Sequence, residues 1–513
     1  MKNSIQIILA LASAILLILS FPTFSLEFLA WVGLIPLFFV IENQKPFKAF
    51  LIAYLTGVLF FLGTVYWLIH VTLPGMIIVV LYLALYFGFF GLLASHGFSM
   101  PNTSFPVFIP ALWVVLEWLR SHFLGGFGWC LLGHSQSSNL AIIQVADITG
   151  AYGVSFLVAL VNVVIFLGIK NFMKGNRALI SVAIPLFLIF ICVSYGIFRL
   201  KNIFTGESLK IAIVQGNIPQ AKKWDFNFRE EILNKYESLT RDSAKEGVDL
   251  IIWPETSVPG YLESESALLE RITSLVKAIN TPVLIGSPRE DRALKEVYYN
   301  SAILFAGDGR VSDRYDKIHL VPFGEYVPFR KIFSFVDNFA PSPIGDFTSG
   351  KDYTVFKFFI DKKFKDKELI RRLVKKVRFS CLICFEDIFP DLTRQFVKKG
   401  ADLLVNITND AWFGKTSAPY QHAQSSVFRA IENRVNVVRA ANTGLSCFIN
   451  QKGQIIGAVE VNGANLFIDG FKMCEITLSE TKTFYSTYGD IFAYICIFYT
   501  LFYIFNRRRG KIS

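Results

Sequence analysis

The chain has little of what staples or metallates a compact fold. Its 513 residues include seven cysteines, an odd number without regular spacing, and six scattered histidines. The cysteine pattern argues against a disulfide framework. No second cysteine pair and no H-x-x-x-H motif lies near Cys381 and Cys384, which argues against zinc. No metal site is expected. Charge is also scarce: Asp, Glu, Lys and Arg make up 18% of the residues against 53% apolar ones, and the mean hydropathy is +0.45. That balance is too greasy for a soluble enzyme, and the length is too great for one ordinary domain.

What the chain does have is apolar sequence, unevenly spread. Residues 1–200 are nearly all hydrophobic stretches, 201–484 read as globular, and 485–513 are apolar again before a basic tail. A spanning helix needs about 20 mainly apolar residues. Eight runs qualify as candidates: 4–21, 26–41, 49–70, 75–98, 105–119, 152–172, 179–195 and 491–505. No small-x-small site follows Ser20 and a second run begins almost at once, which argues against a cleaved signal peptide. With a cytoplasmic N-terminus, Lys2, Lys45, Lys48, Lys170, Lys174, Arg177, Arg507, Arg508, Arg509 and Lys511 all fall inside, and the alternate loops 22–25, 71–74 and 121–151 carry no Lys or Arg. An even number of spans puts both termini in the cytoplasm and the globular part on the outer face, the periplasm in a bacterium with two membranes. The net charge of +11 is then partly topological, and nucleic acid is not expected as a partner. Within "WVVLEWLRSH", Glu117 and Arg120 stand three apart on one helix face. They read equally as an ion pair anchoring the helix end and as the lining of a lipid access site.

The globular part alternates strand-like and helix-like segments. Strands are read in "SLKIAIVQGNIPQ", "GVDLIIWPETSVPG", "TPVLIGSPRE", "VRFSCLICFED" and "GADLLVNITND", and a hairpin turns at Gly307–Gly309. Helices are read at 228–246, 265–278, 391–399 and 420–437. The strands are apolar on both faces, which predicts a layered α/β domain. Residues 333–350 read as a long lid or binding loop. The basic stretch 361–378 reads as a solvated strand–turn–helix excursion.

Cys381 and Cys384 sit at the end of one apolar strand. Positions three apart on a strand point to opposite faces, so the two thiols do not bond each other. Cys384 ends the strand and precedes a helix, the elbow where a thiol is exposed and its thiolate favoured. A core cysteine at a strand end remains the alternative for this motif taken alone.

Three blocks together carry a resemblance. "WPET" with Glu255, "YDKIHLVPFGEYVPF" with Lys317 and "CFED" with Cys384 resemble the signature blocks of the nitrilase superfamily, in its order. The longer "HLVPFGEYVP", with "VQGNIPQAKKW" before it and "NDAWFG" after it, is similar to the apolipoprotein N-acyltransferase branch. "EWLR" followed by "GFGW", and "GAYGVSFL", resemble that family's membrane part. The chain departs from it at Phe385, where the family often has Tyr, and at Gly128, where it often has Pro.

The resemblance implies a polytopic α-helical membrane bundle of eight spans joined to an αββα nitrilase-like sandwich, divided at 1–200, 201–484 and 485–513. It implies a Glu255–Lys317–Cys384 triad in which the carboxylate takes the thiol proton and the ammonium stabilises an oxyanion. Glu325 would orient the lysine, and Glu386 would lie close by. Trp224, Tyr326, Phe385 and Trp412 read as pocket walls, with core packing an equal reading for Trp412. Arg429 and Glu432 read as a structural ion pair. The implied reaction moves a fatty acyl chain from a phospholipid, typically phosphatidylethanolamine, through a cysteine thioester to the α-amine of a diacylglyceryl apolipoprotein, and requires no metal or cofactor. The expected location is a bacterial inner membrane. Two rival readings stand beside it: a membrane-tethered amidase hydrolysing a C–N bond with the same triad, and a transporter or scaffold carrying a dead enzyme.

Overall fold

A computed structural model describes residues 3–97, 105–175, 179–202, 204, 206–291, 294, 296–327, 346–366, 369–478 and 481–509. The expected lid at 333–350 lies outside these residues except for its last five. The chain forms two compact units. One gathers Met1–Asn202, Thr416–Glu432 and Thr483–Ser513, and the other Ile203–Lys415 and Asn433–Lys482.

The first unit is helical because its sequence offers long apolar runs interrupted by Pro, Gly and polar residues. Pro46–Thr64, Leu73–Gly97, Pro106–Gly125 and Ala146–Met173 are, among the described residues, the four helices long and apolar enough to cross a membrane. Asn3–Leu19, Leu179–Lys201 and Ile491–Arg509 are further apolar helices. The run at 26–41 is not one helix: a 3-10 turn at Glu27–Trp31 precedes a short helix at Ile35–Ile41. The run at 49–70 likewise stops at Thr64 and continues as a 3-10 turn, Tyr66–His70. Small residues let the helices close on one another. A Cβ at Gly57 would stand 2.7 Å from the Phe87 Cβ, and one at Gly91 would stand 2.4 Å from the Ala49 carbonyl oxygen. Ile8, Leu55, Ile78, Phe190 and Phe498 face outward from these helices. Such an apolar exterior suits hydrocarbon better than water.

Several polar side chains in this unit are tied down. Glu117 is buried and accepts from the Trp113 indole at 2.9 Å and the Leu132 N–H at 2.7 Å. Arg120 is buried too and donates to the carbonyls of Trp129 at 2.7 Å and Cys130 at 3.4 Å. Both line a cavity walled by Leu17, Phe60, Phe87 and Trp113. The helix Ala418–Asn433 supplies a second anchor: Gln421 accepts from the Trp67 and Trp129 indoles at 3.0 and 2.9 Å and donates to the Thr64 carbonyl at 2.9 Å. Arg429 and Glu432 form the anticipated ion pair at 2.8 Å, and Glu432 also accepts from the Ala151 N–H.

In the second unit, among the described residues, twelve strands make two six-stranded sheets. They are β1 (Ser208–Gln215), β2 (Leu250–Ile252), β3 (Val283–Glu290), β4 (Tyr298–Phe305), β5 (Val311–Asp316), β6 (Phe356–Asp366), β7 (Leu369–Ile383), β8 (Leu403–Thr408), β9 (Asn436–Ala441), β10 (Cys447–Ile449), β11 (Ile455–Ala458) and β12 (Gly470–Thr477). The sheet orders are β12-β1-β2-β3-β4-β5 and β11-β10-β9-β8-β7-β6. The central pairs β1–β2, β2–β3, β7–β8 and β8–β9 are parallel, and β2, β8 and β9 are buried along their whole length. β1 packs on β9 and β4 on β7, so the sheets face each other. The helix Arg229–Ala244 covers the first sheet and Pro390–Lys398 lies on β7. Ala212, Val214, Ile251, Ile285 and Ile303 of the first sheet pack with Ile232, Tyr236, Ile272 and Val276 of its helices. Each such large aliphatic side chain contributes roughly 1.5–3 kcal/mol by leaving water.

Two expectations are corrected here. The basic stretch 361–378 is a β-hairpin, not a strand–turn–helix excursion. β6 and β7 pair antiparallel from Phe356↔Phe379 out to Asp366↔Leu369, and the second arm runs unbroken to Ile383. Strand pairing overrides the helical look of the charged residues. The helix read as 420–437 ends at Asn433, because Arg434 takes a left-handed φ of 53° and β9 begins two residues later.

Candidate active site

Four segments of the second unit deliver three charged side chains and a thiol to one point. β2 ends in a turn that carries Glu255, with Thr256 at φ 44°. β5 runs out at Asp316 and hands over to Lys317. A turn at 321–326 brings Glu325 back, and β7 ends at Ile383 so that Cys384 opens a 3-10 turn. Cys384 has φ 55°, a strained conformation for a side chain with a Cβ, and such strain survives only where surrounding contacts enforce it.

Lys317 is the centre of the cluster. Its Nζ lies 2.9 Å from both Glu325 oxygens and 3.7 Å from Glu255 Oε1, and the side chain is almost wholly buried. Burial alone would lower its proton affinity, but Glu325 and Glu255 outweigh burial and hold it above the ordinary lysine range. It therefore remains an ammonium. Asn300 on β4 donates 2.8 Å bonds to Glu255 Oε1 and to Glu325 Oε1, bridging the two carboxylates that would otherwise repel. The Val321 N–H donates to Glu325 Oε2, fixing the turn that bears it.

The thiol sits in the same field. Burial and the nearby Glu255 carboxylate push the Cys384 thiol well above its ordinary range, against the pull of Lys317 and of a bond with the Thr408 hydroxyl. A resting thiol is therefore protonated and needs a base. Asp410 adds a further negative charge, and Asn406 holds the Cys384 carbonyl at 2.8 Å. Cys381 is buried and free, three residues back in the strand.

Glu386 is buried and acts as a clamp. It accepts from the Tyr315 hydroxyl, the Ile318, His319 and Ile383 N–H groups, at 2.8–3.0 Å. These bonds join the segment around Lys317 to the strand end that precedes Cys384. Burial pushes its carboxyl up to about 7. Arg439 on β9 bonds Asp387 at 2.7 Å with both side chains fully buried, securing the next residue of the same turn.

The remaining expected residues divide. Phe385 is half-buried, with Lys317 Nζ 5.3 Å from its ring centroid and Phe389 at 5.3 Å between centroids. Trp224 and Trp412 are exposed, not packed in the core, and Tyr326 is half-buried. Glu117 and Arg120 belong to the helical unit. Sequence reasoning passed over Asn300, Tyr315, Thr408 and Asp410. A polar residue inside an otherwise apolar strand was the available signal for Asn300 and Thr408. It also passed over Lys223, which reads like its neighbour Lys222.

Comparison with known proteins bears on this geometry. The family descriptions that match are "Apolipoprotein N-acyltransferase N-terminal domain" over residues 13–164 and "Carbon-nitrogen hydrolase" over residues 210–472. An apolipoprotein N-acyltransferase of Geobacter metallireducens is 41% identical, covering 96% of this chain and 93% of its own length. The chain belongs to the apolipoprotein N-acyltransferase family. Another family member, from Haemophilus influenzae, is 30% identical over 96% of this chain and 92% of its own. A solved amidase from Nesterenkonia sp. aligns with 54% of this chain and 94% of its own at 18% identity, with a TM-score of 0.37. The N-acyltransferases to which this chain is similar are thiol-dependent transferases of the carbon–nitrogen hydrolase superfamily.

Proposed function

We propose that the chain transfers a fatty acyl chain from a membrane phospholipid to the N-terminal amine of a diacylglyceryl apolipoprotein, using Cys384 as nucleophile, Glu255 as base and Lys317 as oxyanion donor. The observation that carries this reading is the buried Glu255–Lys317–Glu325 cluster beside a strained cysteine, in a chain of this family.

In the first half-reaction Cys384 Sγ attacks the ester carbonyl carbon and its proton passes to Glu255. The oxyanion is met by the Lys317 ammonium and the N–H groups after Cys384. Collapse breaks the ester C–O bond, Glu255 returns the proton to the departing oxygen, and a lysophospholipid leaves. In the second half the acceptor amine attacks the thioester and loses a proton to Glu255, the C–S bond breaks, and Glu255 returns that proton to the departing sulfur, giving an amide and the free thiol. A shared covalent intermediate gives ping-pong kinetics. Phosphatidylethanolamine is the donor expected. Glu325 and Glu386 hold the lysine and the nucleophile turn, while Trp224, Tyr326, Phe385 and Trp412 contact substrate. The cavity beside Glu117 and Arg120 supports a lipid-contacting role for that pair. An eight-span arrangement, with both termini cytoplasmic and residues 201–484 on the periplasmic side of an inner membrane, fits the Lys and Arg distribution and two lipid-anchored substrates.

Mass spectrometry of the full chain after incubation with phosphatidylethanolamine vesicles tests this. A hydroxylamine-labile acyl adduct on Cys384, absent from Cys384→Ser and Glu255→Gln, is expected. An unmodified thiol sinks the transferase reading, and an adduct discharged by water as fast as by a lipopeptide amine makes the enzyme a hydrolase.

A further inference from the structure

The segment between β1 and the helix Arg229–Ala244 carries two adjacent lysines with opposite fates. Lys222 behaves as a surface lysine should: it is partly exposed, lies 3.5 Å from Glu231 and rests over the Phe228 ring. Lys223 is 2% exposed. Taking an ammonium out of water costs several kcal/mol unless partners offset it. Yet among the described residues its Nζ makes one hydrogen bond, 2.9 Å to the main-chain carbonyl of Glu255, and no carboxylate lies within ion-pair distance. A flexible side chain that could reach solvent is instead held beneath the residue that carries the base.

That position has mechanical consequences. The Glu255 turn is strained, with Thr256 at φ 44°, and is gripped from the other side by β3. There a Cβ on Gly286 would come within 2.3 Å of the Pro254 oxygen and 2.7 Å of the Glu255 Cα, and the Ser257 N–H donates to the Gly286 carbonyl. A strained turn keeps its conformation only where neighbours over-determine it, and Lys223 adds a side-chain bond to that turn's carbonyl. The segment bearing Lys223 is itself anchored. Gln220 accepts from Asn409 at 2.8 Å, and Asn442 bonds both the N–H and the carbonyl of Ile218. The residue after Lys223 is Trp224, exposed beside the anchored turn.

We propose that Lys223 is a positioning residue for acyl transfer, its Nζ locking the Glu255 turn to the segment that presents Trp224, so that base and substrate-facing ring are held as one piece. This rests on the function proposed above for the Glu255 and Cys384 site. The groups facing Lys223 are Glu255 and Cys384, and burial brings its ammonium down to about 7 despite them. The tether survives that titration, because a neutral amine still carries N–H groups to donate.

The test uses the full chain and two readouts. Alkylation of Cys384 by iodoacetamide, followed on the Cys384 peptide by mass, needs the base but no acyl donor. Lys223→Met is expected to lower its rate constant at least tenfold at full labelling amplitude, towards the value in Glu255→Gln. A loss of folded protein lowers amplitude or makes labelling multiphasic, and does not slow a single full-amplitude phase. Lys222→Met, which removes a lysine from the same segment, is expected to stay within twofold of wild type. Lys223→Gln, a donor on a shorter stem, is expected to fall between Lys223→Met and wild type, and it carries the test if Lys223→Met does not fold. Rates within twofold of wild type in the folded Lys223 variants, or an equal fall in Lys222→Met, would overturn the proposal. Acylation from phosphatidylethanolamine vesicles is measured in parallel. A wild-type chain that never acquires an acyl group removes the transferase reading, while the alkylation rates still decide the role of Lys223.

Discussion

In Glu386→Gln one carboxylate oxygen becomes an NH2 group while the side chain keeps its shape. Glu386 Oε1 accepts from Tyr315, Ile318 and His319, so the amide oxygen takes that place and the NH2 group faces the Ile383 N–H. Two donors then oppose each other in a fully buried spot, at a cost of about 1–3 kcal/mol for each group left unsatisfied. The variant also removes a proton site. The carboxyl moves from an ordinary 4.5 in the unfolded chain to about 7 in the folded one, because burial disfavours its charge. The folded state therefore holds a proton that the unfolded chain releases between those values. The stability this contributes is fully present below about pH 4.5 and is lost as pH rises through about 7, a change of about 3 kcal/mol. Thermal unfolding of detergent-solubilised protein from pH 4.5 to 8 reads it. Wild type should lead Glu386→Gln clearly at pH 5, and the gap should narrow or reverse by pH 8. A gap independent of pH would refute the claim that this carboxyl is buried in a clamp around Lys317 and Cys384.

Asn300→Leu should slow acylation of Cys384 at least tenfold, about 1.4 kcal/mol, by removing the amide that bridges Glu255 and Glu325, with phospholipid affinity little changed. Asn300→Asp should be slower still, since three acids would then crowd one lysine; single-turnover rates of adduct formation order the two. In the helical unit, Gln421→Leu strands the Trp67 and Trp129 indole N–H groups, each at about 1–3 kcal/mol, and should lower the thermal midpoint of the full chain.

The parts of this protein legible in its sequence are those written in local periodicity or short blocks. The apolar runs of the first 200 residues, the apolar strands and the strand end at Cys384 all follow from which residues tolerate water. The interruptions at 32–34 and at Val65 were not legible, because a hydrophobic run does not say where its backbone stops being helical. The antiparallel strands within 361–378 look helical in sequence for a related reason. Charged residues with good helix propensity become strand once a neighbouring strand supplies hydrogen bonds along their length, and that neighbour is recognised only in three dimensions.

The site divides along the same line. Glu255, Lys317 and Cys384 were found as blocks, but any of them alone reads as a surface charge or a core thiol. Their chemistry comes from being buried together, which raises the thiol's proton affinity and keeps the lysine charged in one stroke. Lys222 and Lys223 make the limit concrete. They are identical in type and adjacent in the chain, yet one is partly exposed and the other 2% exposed against the Glu255 carbonyl. Four residues of helix with Pro219 before them decide which lysine turns inward, and nothing in the letters distinguishes the two. Side chains that act through a main-chain carbonyl leave no block of their own, so the supporting shell of this site has to be read from distances.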